Sequence, residues 1–186
     1  TFDLLRTADL GQRLIPLIQA PEIIQALTTQ AFQECVHTQT YQHVIETLGL
    51  PQDDIYQRYK TVPALANRIT LSEEIGEISR NNEQGILRAL IHFFLIFEGV
   101  WFRANLLGPI QSLARRNLFP GTATQFVYIA RDEDTHVALG LHLIRSFLNE
   151  HKHLLDGALI EQILTDTKEA LRLEDEFIEH ALPGPI

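Results

Sequence analysis

Two long helical patterns in the sequence each contain Glu-x-x-His, as Glu34–His37 in ECVH and as Glu133–His136 in EDTH. Residues three apart on an α-helix lie on the same side, one turn from each other. Each pattern therefore presents a carboxylate and an imidazole together. A single occurrence is explained equally well by an exposed pair on a helix surface. Two occurrences in one chain, each within a long helical pattern, favour a shared site between helices.

Apolar residues recur with a helical period along most of the chain, and no persistent alternation indicates a β-strand. Proline and glycine divide this pattern into segments. Four long helices and no sheet predict an all-α helical bundle, and the 186 residues fit a single domain over 1–186. The predicted helices cover residues 2–10, 21–48, 52–60, 64–79, 83–107, 122–150 and 156–182, with a break at Gly108-Pro109 and another at Pro120-Gly121.

Glu98 is a third acidic residue of interest, because it lies within the apolar stretch HFFLIFEGVWF. Burying an unpaired carboxylate costs several kcal/mol, so it requires a cation as partner. Arg103 is five residues away and off its helical face, which makes it a poor partner. A fourth acid, Asp3, lies beside apolar residues in the first helical fragment.

These acids come from four different predicted helices, and two of those helices also supply a histidine. The arrangement is that of a di-metal carboxylate bundle, in which two helices give one carboxylate each and two give Glu-x-x-His. Four carboxylates are neutralised by two divalent cations. Oxygen and imidazole ligands suit iron or manganese and exclude a thiolate zinc site. The predicted ligands are Asp3, Glu34, His37, Glu98, Glu133 and His136.

The composition narrows the range of partners and compartments. A formal net charge of −9 argues against nonspecific binding to nucleic acid or to an anionic membrane. No uncharged apolar run of membrane-spanning length is present. The single cysteine, Cys35, excludes an internal disulfide framework and predicts a cytoplasmic location.

Several stretches resemble the small, radical-generating subunit of class I ribonucleotide reductase, a ferritin-like protein. ECVHTQTYQHVIETLGL resembles one metal-ligand helix of that family, FEGVWF the next, and IARDEDTH the last. LEDEFIEHALPGP resembles the stretch that follows the core bundle, and the interval from Asp3 through PLIQAPE to Glu34 has the family spacing. The similarity extends over nearly the whole chain. The family's N-terminal helix and C-terminal tail are expected to be missing from it.

The resemblance implies roles for further residues. The six ligands named above would bind two metal ions, with Fe/Fe favoured and Mn/Fe or Mn/Mn as alternatives. Activation of oxygen or a related oxidant there would produce a radical on Tyr41, and Asp132 would hydrogen-bond the His37 ring and relay the electron. An apolar pocket of Phe102, Leu106 and Ile129 would shield the radical.

The implied activity is that of ribonucleoside-diphosphate reductase. The chain would act as a homodimer, and a large subunit would use the radical to make deoxyribonucleotides. Two alternatives remain open: a related ligand-binding dimetal oxidase and a ferritin-like iron-storage protein. Asp3, Tyr41 and Phe93 count against the oxidase, and Tyr41 in an apolar pocket counts against storage. Histidines outside the two motifs are expected to be ordinary, His151 and His153 among them.

Overall fold

The computed structural model describes residues 10–78 and 82–182, and every regular element in these ranges is helical. The described part begins with a π-helical turn, Leu10–Leu14, and a 3₁₀ turn, Ile15–Leu17. Seven α-helices follow: α1 Pro21–Thr47, α2 Gln52–Thr61, α3 Pro63–Ile78, α4 Glu83–Ile91, α5 Arg103–Arg115, α6 Pro120–Glu150 and α7 Gly157–Ala181. A π-helical segment, His92–Phe102, joins α4 to α5, and a 3₁₀ turn, Lys152–Leu154, precedes α7. The all-α prediction is confirmed.

Helix boundaries follow from local backbone chemistry. Pro21 begins α1, where the missing N–H costs nothing, and Gly49 after its end has a φ of +63°. Asn82 precedes α4, and its side chain accepts a hydrogen bond from the Gly85 N–H at 2.7 Å. Asp156 caps α7 in the same way, accepting from the Leu159 N–H at 2.8 Å.

The predicted helix break at Gly108-Pro109 is wrong, because α5 continues through Pro109 to Arg115. A proline inside a helix carries a local cost, but burial of an apolar face can outweigh it, and Leu106 of this helix is buried. The chain turns instead just before Pro120, where Asn117 and Phe119 have positive φ values of 50° and 45°.

The chain divides into two compact units. Unit 1 contains the residues up to Gln57 together with Asn105–His136, and unit 2 contains Arg58–Ala104 and the residues from Val137 onward. The predicted single domain over 1–186 stays a prediction.

Unit 2 contains an arginine whose side chain is almost completely buried. Arg68 pairs with Glu174, and its guanidinium lies 5.1 Å from the Trp101 ring centre and 4.2 Å from that of Phe177. Burial lowers the pKa of Arg68 to about 10, an effect that the charge of Glu174 partly opposes. Arg68 therefore keeps its charge at neutral pH. The Trp101 indole N–H donates to the Ala170 carbonyl at 3.0 Å, which adds a hydrogen bond to this core.

By length and apolar composition, the helical stretch Glu83–Arg115 could cross a membrane. However, 56% of the most apolar 18-residue part of this stretch is buried inside the protein, so more than half of that part contributes to the core. A buried core helix passes the same test, so the finding is weak evidence for a membrane span.

Gly140 on α6 generates a prediction about stability. A Cβ at this position would lie 2.2 Å from Cβ and 2.1 Å from Cγ of Phe94, whose side chain is fully buried. Phe94 Cβ is fixed to the backbone and cannot rotate away, so Gly140→Ala should lower the free energy of unfolding by about 1–3 kcal/mol. Gly121→Ala, on the same helix with nothing within 4 Å, is the matched control. Chemical denaturation of both variants measures the effect, and equal stability of the two would contradict the close packing.

Candidate metal centre

The two Glu-x-x-His patterns lie on α1 and α6, both within unit 1. Their four side chains are at most 2% exposed, although each is ionisable. Helical spacing places Glu34 one turn before His37, and Glu133 one turn before His136. The fold therefore brings both predicted pairs into the protein interior.

The two imidazoles face the two carboxylates through the same ring atom. His37 Nδ1 lies 3.3 Å from Glu133 Oε1 and 3.7 Å from Glu34 Oε2. His136 Nδ1 lies 3.3 Å from Glu133 Oε2 and 3.4 Å from Glu34 Oε1. The ring centres are 6.1 Å apart. Each histidine thus contacts the carboxylate of its own helix and that of the other helix.

These contacts shift the pKa values of the metal-free centre. Burial alone would lower the pKa of His37, but the contacts with Glu133 and Glu34 outweigh burial and raise it to about 10. Burial likewise favours the neutral form of Glu34, yet His136 and His37 lower its pKa to about 2. Without metal, the centre therefore combines carboxylates with a protonated imidazole. A bound cation would replace that proton as the positive partner.

The Nε2 atom of each ring contacts a polar side chain on the other helix. We call these two interactions the crossed contacts. His37 Nε2, from α1, lies 3.3 Å from Asp132 Oδ2 on α6. His136 Nε2, from α6, lies 2.9 Å from Gln33 Oε1 on α1. An Nε2–H that donates to these oxygens leaves the Nδ1 lone pair directed at the carboxylates. This tautomer is the one that a metal-binding histidine needs.

The donor set fits a metal ion. One oxygen or nitrogen from each of Glu34, Glu133 and His136 lies within 4.8 Å of the others. His37 Nδ1 and both Glu133 oxygens are buried and make no hydrogen bond within residues 10–78 and 82–182, although they approach each other closely. Such atoms remain inside a protein at high cost unless a cation compensates them. This buried group of carboxylates and histidines can hold a metal ion.

Tyr41 lies on α1, one turn beyond His37, and is half-buried. Its ring centre is 5.8 Å from that of Phe126 on α6, at an interplanar angle of 53°. Leu106 and Ile129, also in unit 1, are 4% and 3% exposed. Phe102 belongs to unit 2, where its ring stacks on Phe97 at 6.4 Å. The assignment of a radical pocket to these residues stays a prediction.

Two predicted ligands are not among the described residues of unit 1. Asp3 lies outside the described residues. Glu98 lies in unit 2 on the π-helical segment and is 1% exposed, as its apolar surroundings in the sequence suggested. The roles of both residues as ligands stay predictions.

Gln33 and Phe126 also belong to this region, but neither was predicted from the sequence as a site residue. Gln33 precedes Glu34 just as Asp132 precedes Glu133, so the position before each glutamate was an available signal. The side chain at that position reaches the histidine of the other helix. No local pattern distinguishes Phe126, whose proximity to Tyr41 arises only when α1 packs beside α6.

Comparison with known families and proteins matches the whole chain. Residues 1–186 match the family described as "Ribonucleotide reductase, small chain". A ribonucleoside-diphosphate reductase subunit beta from Chlamydia pneumoniae is 30% identical over 178 residues, which are 91% of this chain and 51% of the relative. The subunit beta of Treponema pallidum (strain Nichols) is 27% identical over 190 residues, covering 98% of this chain and 54% of the relative. The chain spans about half the length of these curated relatives.

A solved structure supports the same fold. A crystal structure from Bacillus halodurans, assigned to class I ribonucleotide reductase, superposes with a TM-score of 0.87 at 24% identity. The superposition covers 99% of this chain and 68% of that chain. At this identity the likeness concerns the fold, and it agrees with the predicted ferritin-like helical class.

The crossed contacts generate a prediction about metal affinity. Asp132→Leu and Gln33→Leu should each weaken binding of Mn²⁺ or Fe²⁺ by about 10–100-fold, because the histidine that each residue orients is released. Anaerobic titration of the metal-free protein measures this change. Gln25→Leu, an exposed position on α1, is the matched control and should bind normally. Unchanged affinity in both test variants would mean that neither contact orients a ligand.

Proposed function

This chain belongs to the ribonucleotide reductase small-chain family, and from that premise we propose that it is the radical-generating subunit of a ribonucleoside-diphosphate reductase. The observation that carries the proposal is the buried centre of two carboxylates and two inward-facing imidazoles, with a tyrosine one helical turn away. Neither a structural bundle nor a simple surface ion pair requires that combination.

Glu34, His37, Glu133 and His136 are proposed as four of the ligands that hold two metal ions. Iron in both positions is favoured, and manganese in one or both satisfies the same oxygen and nitrogen ligands. When bound, the metals supply the one-electron oxidation of a nearby phenol at the expense of an oxidant. Asp132 and Gln33 fix the histidine rings, so that the Nδ1 atoms keep their direction when the positive charge of the site changes.

Tyr41 is proposed as the residue that is oxidised. An ordinary phenol has a pKa near 10 and carries its proton at neutral pH. Tyr41 would therefore lose its proton together with the electron. Tyr41 lies one turn beyond His37 on the same side of α1, and the Phe126 ring packs beside its ring.

A large subunit is the proposed partner, because the chain belongs to the family of ribonucleotide reductase small chains. The large subunit would draw the oxidising equivalent from the small chain and use it in ribonucleotide reduction. We also propose a homodimer and a cytoplasmic location, the latter in keeping with a single cysteine.

Electron paramagnetic resonance tests the proposal. After anaerobic metal loading and exposure to air, the wild type should give a tyrosyl radical signal, and Tyr41→Phe should abolish it. The control is Tyr128→Phe, which removes a 48% exposed tyrosine from α6 and should leave the signal intact. Metal content of all three proteins should be equal, since Tyr41 is not among the proposed ligands.

Two other results would favour the alternatives. A metal-loaded protein that gives no organic radical but retains a bound fatty acid would indicate a ligand-binding oxidase. A protein that accumulates iron and shows neither radical nor ligand would indicate storage. Either result would contradict the proposed function.

A further inference from the structure

A second group of metal-binding side chains lies in unit 2, outside the buried centre. Glu83 begins α4, His151 follows the last residue of α6, and His153 lies in the short 3₁₀ turn before α7. His151 Nδ1 is 3.2 Å and His153 Nε2 is 3.6 Å from the same carboxylate oxygen, Glu83 Oε2. One ligand atom from each of the three side chains lies within 4.8 Å of the other two.

Neighbouring contacts fix the backbone near these three residues and the ring of His151. The Asn82 cap fixes the start of α4, where Glu83 is located. Gln84 donates from its side chain to the Leu154 carbonyl at 3.4 Å, which joins the start of α4 to the His153 turn. The Phe147 ring stacks on His151 with ring centres 4.5 Å apart, and this limits rotation of the imidazole. The group is therefore partly preorganised on the protein surface.

The group contains one histidine more than an ordinary ion pair with Glu83 needs. A carboxylate satisfied by one protonated imidazole needs a single histidine, whereas two imidazole nitrogens here approach one Glu83 oxygen. Two histidines and a carboxylate form a common ligand set for Zn²⁺, with water in the remaining position. His153 is 72% exposed and His151 27%, so an ion can reach the group directly from solvent.

We propose that Glu83, His151 and His153 bind a divalent transition-metal ion of the zinc class. The ion connects the start of α4 to the link between α6 and α7, two positions that are distant in the sequence. Because the three side chains come together only in the folded chain, binding of the ion stabilises unit 2. This site is independent of the proposed radical function and requires no change at the buried centre.

Zinc stoichiometry of the whole chain tests this site. Wild type and His153→Ala are each dialysed to equilibrium against excess Zn²⁺, and the metal bound per chain is measured by mass spectrometry. Both proteins keep the buried centre, so the difference between them counts only the surface site. The wild type should retain about one Zn²⁺ more per chain than His153→Ala. Zinc should also raise the unfolding temperature of the wild type more than that of the variant.

Two further variants complete the experiment. Glu83→Gln keeps the size of the side chain but removes its charge, and it should lose the same equivalent of zinc. His180→Ala removes an exposed histidine from α7 and should match the wild type. Equal zinc content in wild type, His153→Ala and Glu83→Gln would overturn the site and leave the three side chains as an ion-paired surface cluster. An equal loss in His180→Ala would also overturn it, because binding would then be nonspecific.

Discussion

The cost of burying charge is the constraint on which unit 1 depends. Two glutamates and two histidines lie at most 2% exposed between α1 and α6. Each group alone would destabilise the interior, and only their mutual contacts, or a cation among them, make burial tolerable. The opposite pKa shifts of Glu34 and His37 reflect this dependence. The packing of the two helices and the ability to hold metal therefore have the same physical origin.

The sequence predicted what depends on periodicity and on local spacing. Glu34, His37, Glu133 and His136 could be assigned to one site because i, i+3 spacing fixes their direction on a helix. Gln33 and Phe126 could not, because their contacts with His136 and Tyr41 exist only after α1 and α6 pack. The break expected at Pro109 was wrong for a related reason, since packing can outweigh a local preference.

His151 and His153 are a second example of residues whose contacts form only when the helices pack. Neither shares a helix with a carboxylate at ligand spacing, because α6 ends at Glu150, and helical spacing therefore did not predict their contact with Glu83. Glu83, nearly seventy residues earlier, supplies the carboxylate when α4 packs beside the α6–α7 link. The two Glu/His groups of this chain differ mainly in solvent access. The exposed group would exchange its ion readily, whereas ions in the buried group are protected by the surrounding side chains.

The crossed contacts of Gln33 and Asp132 also bear on how this protein can evolve. The stretches 33–37 and 132–136 each carry two proposed ligands and the residue that contacts the other helix's histidine. Inserting one residue inside either stretch would turn the residues beyond it by about 100° around the helix axis. Both histidines would then lose a contact at once. Insertions and deletions should therefore be absent from these two stretches in related sequences. Substitutions at the two positions that lie between the glutamate and the histidine should be tolerated.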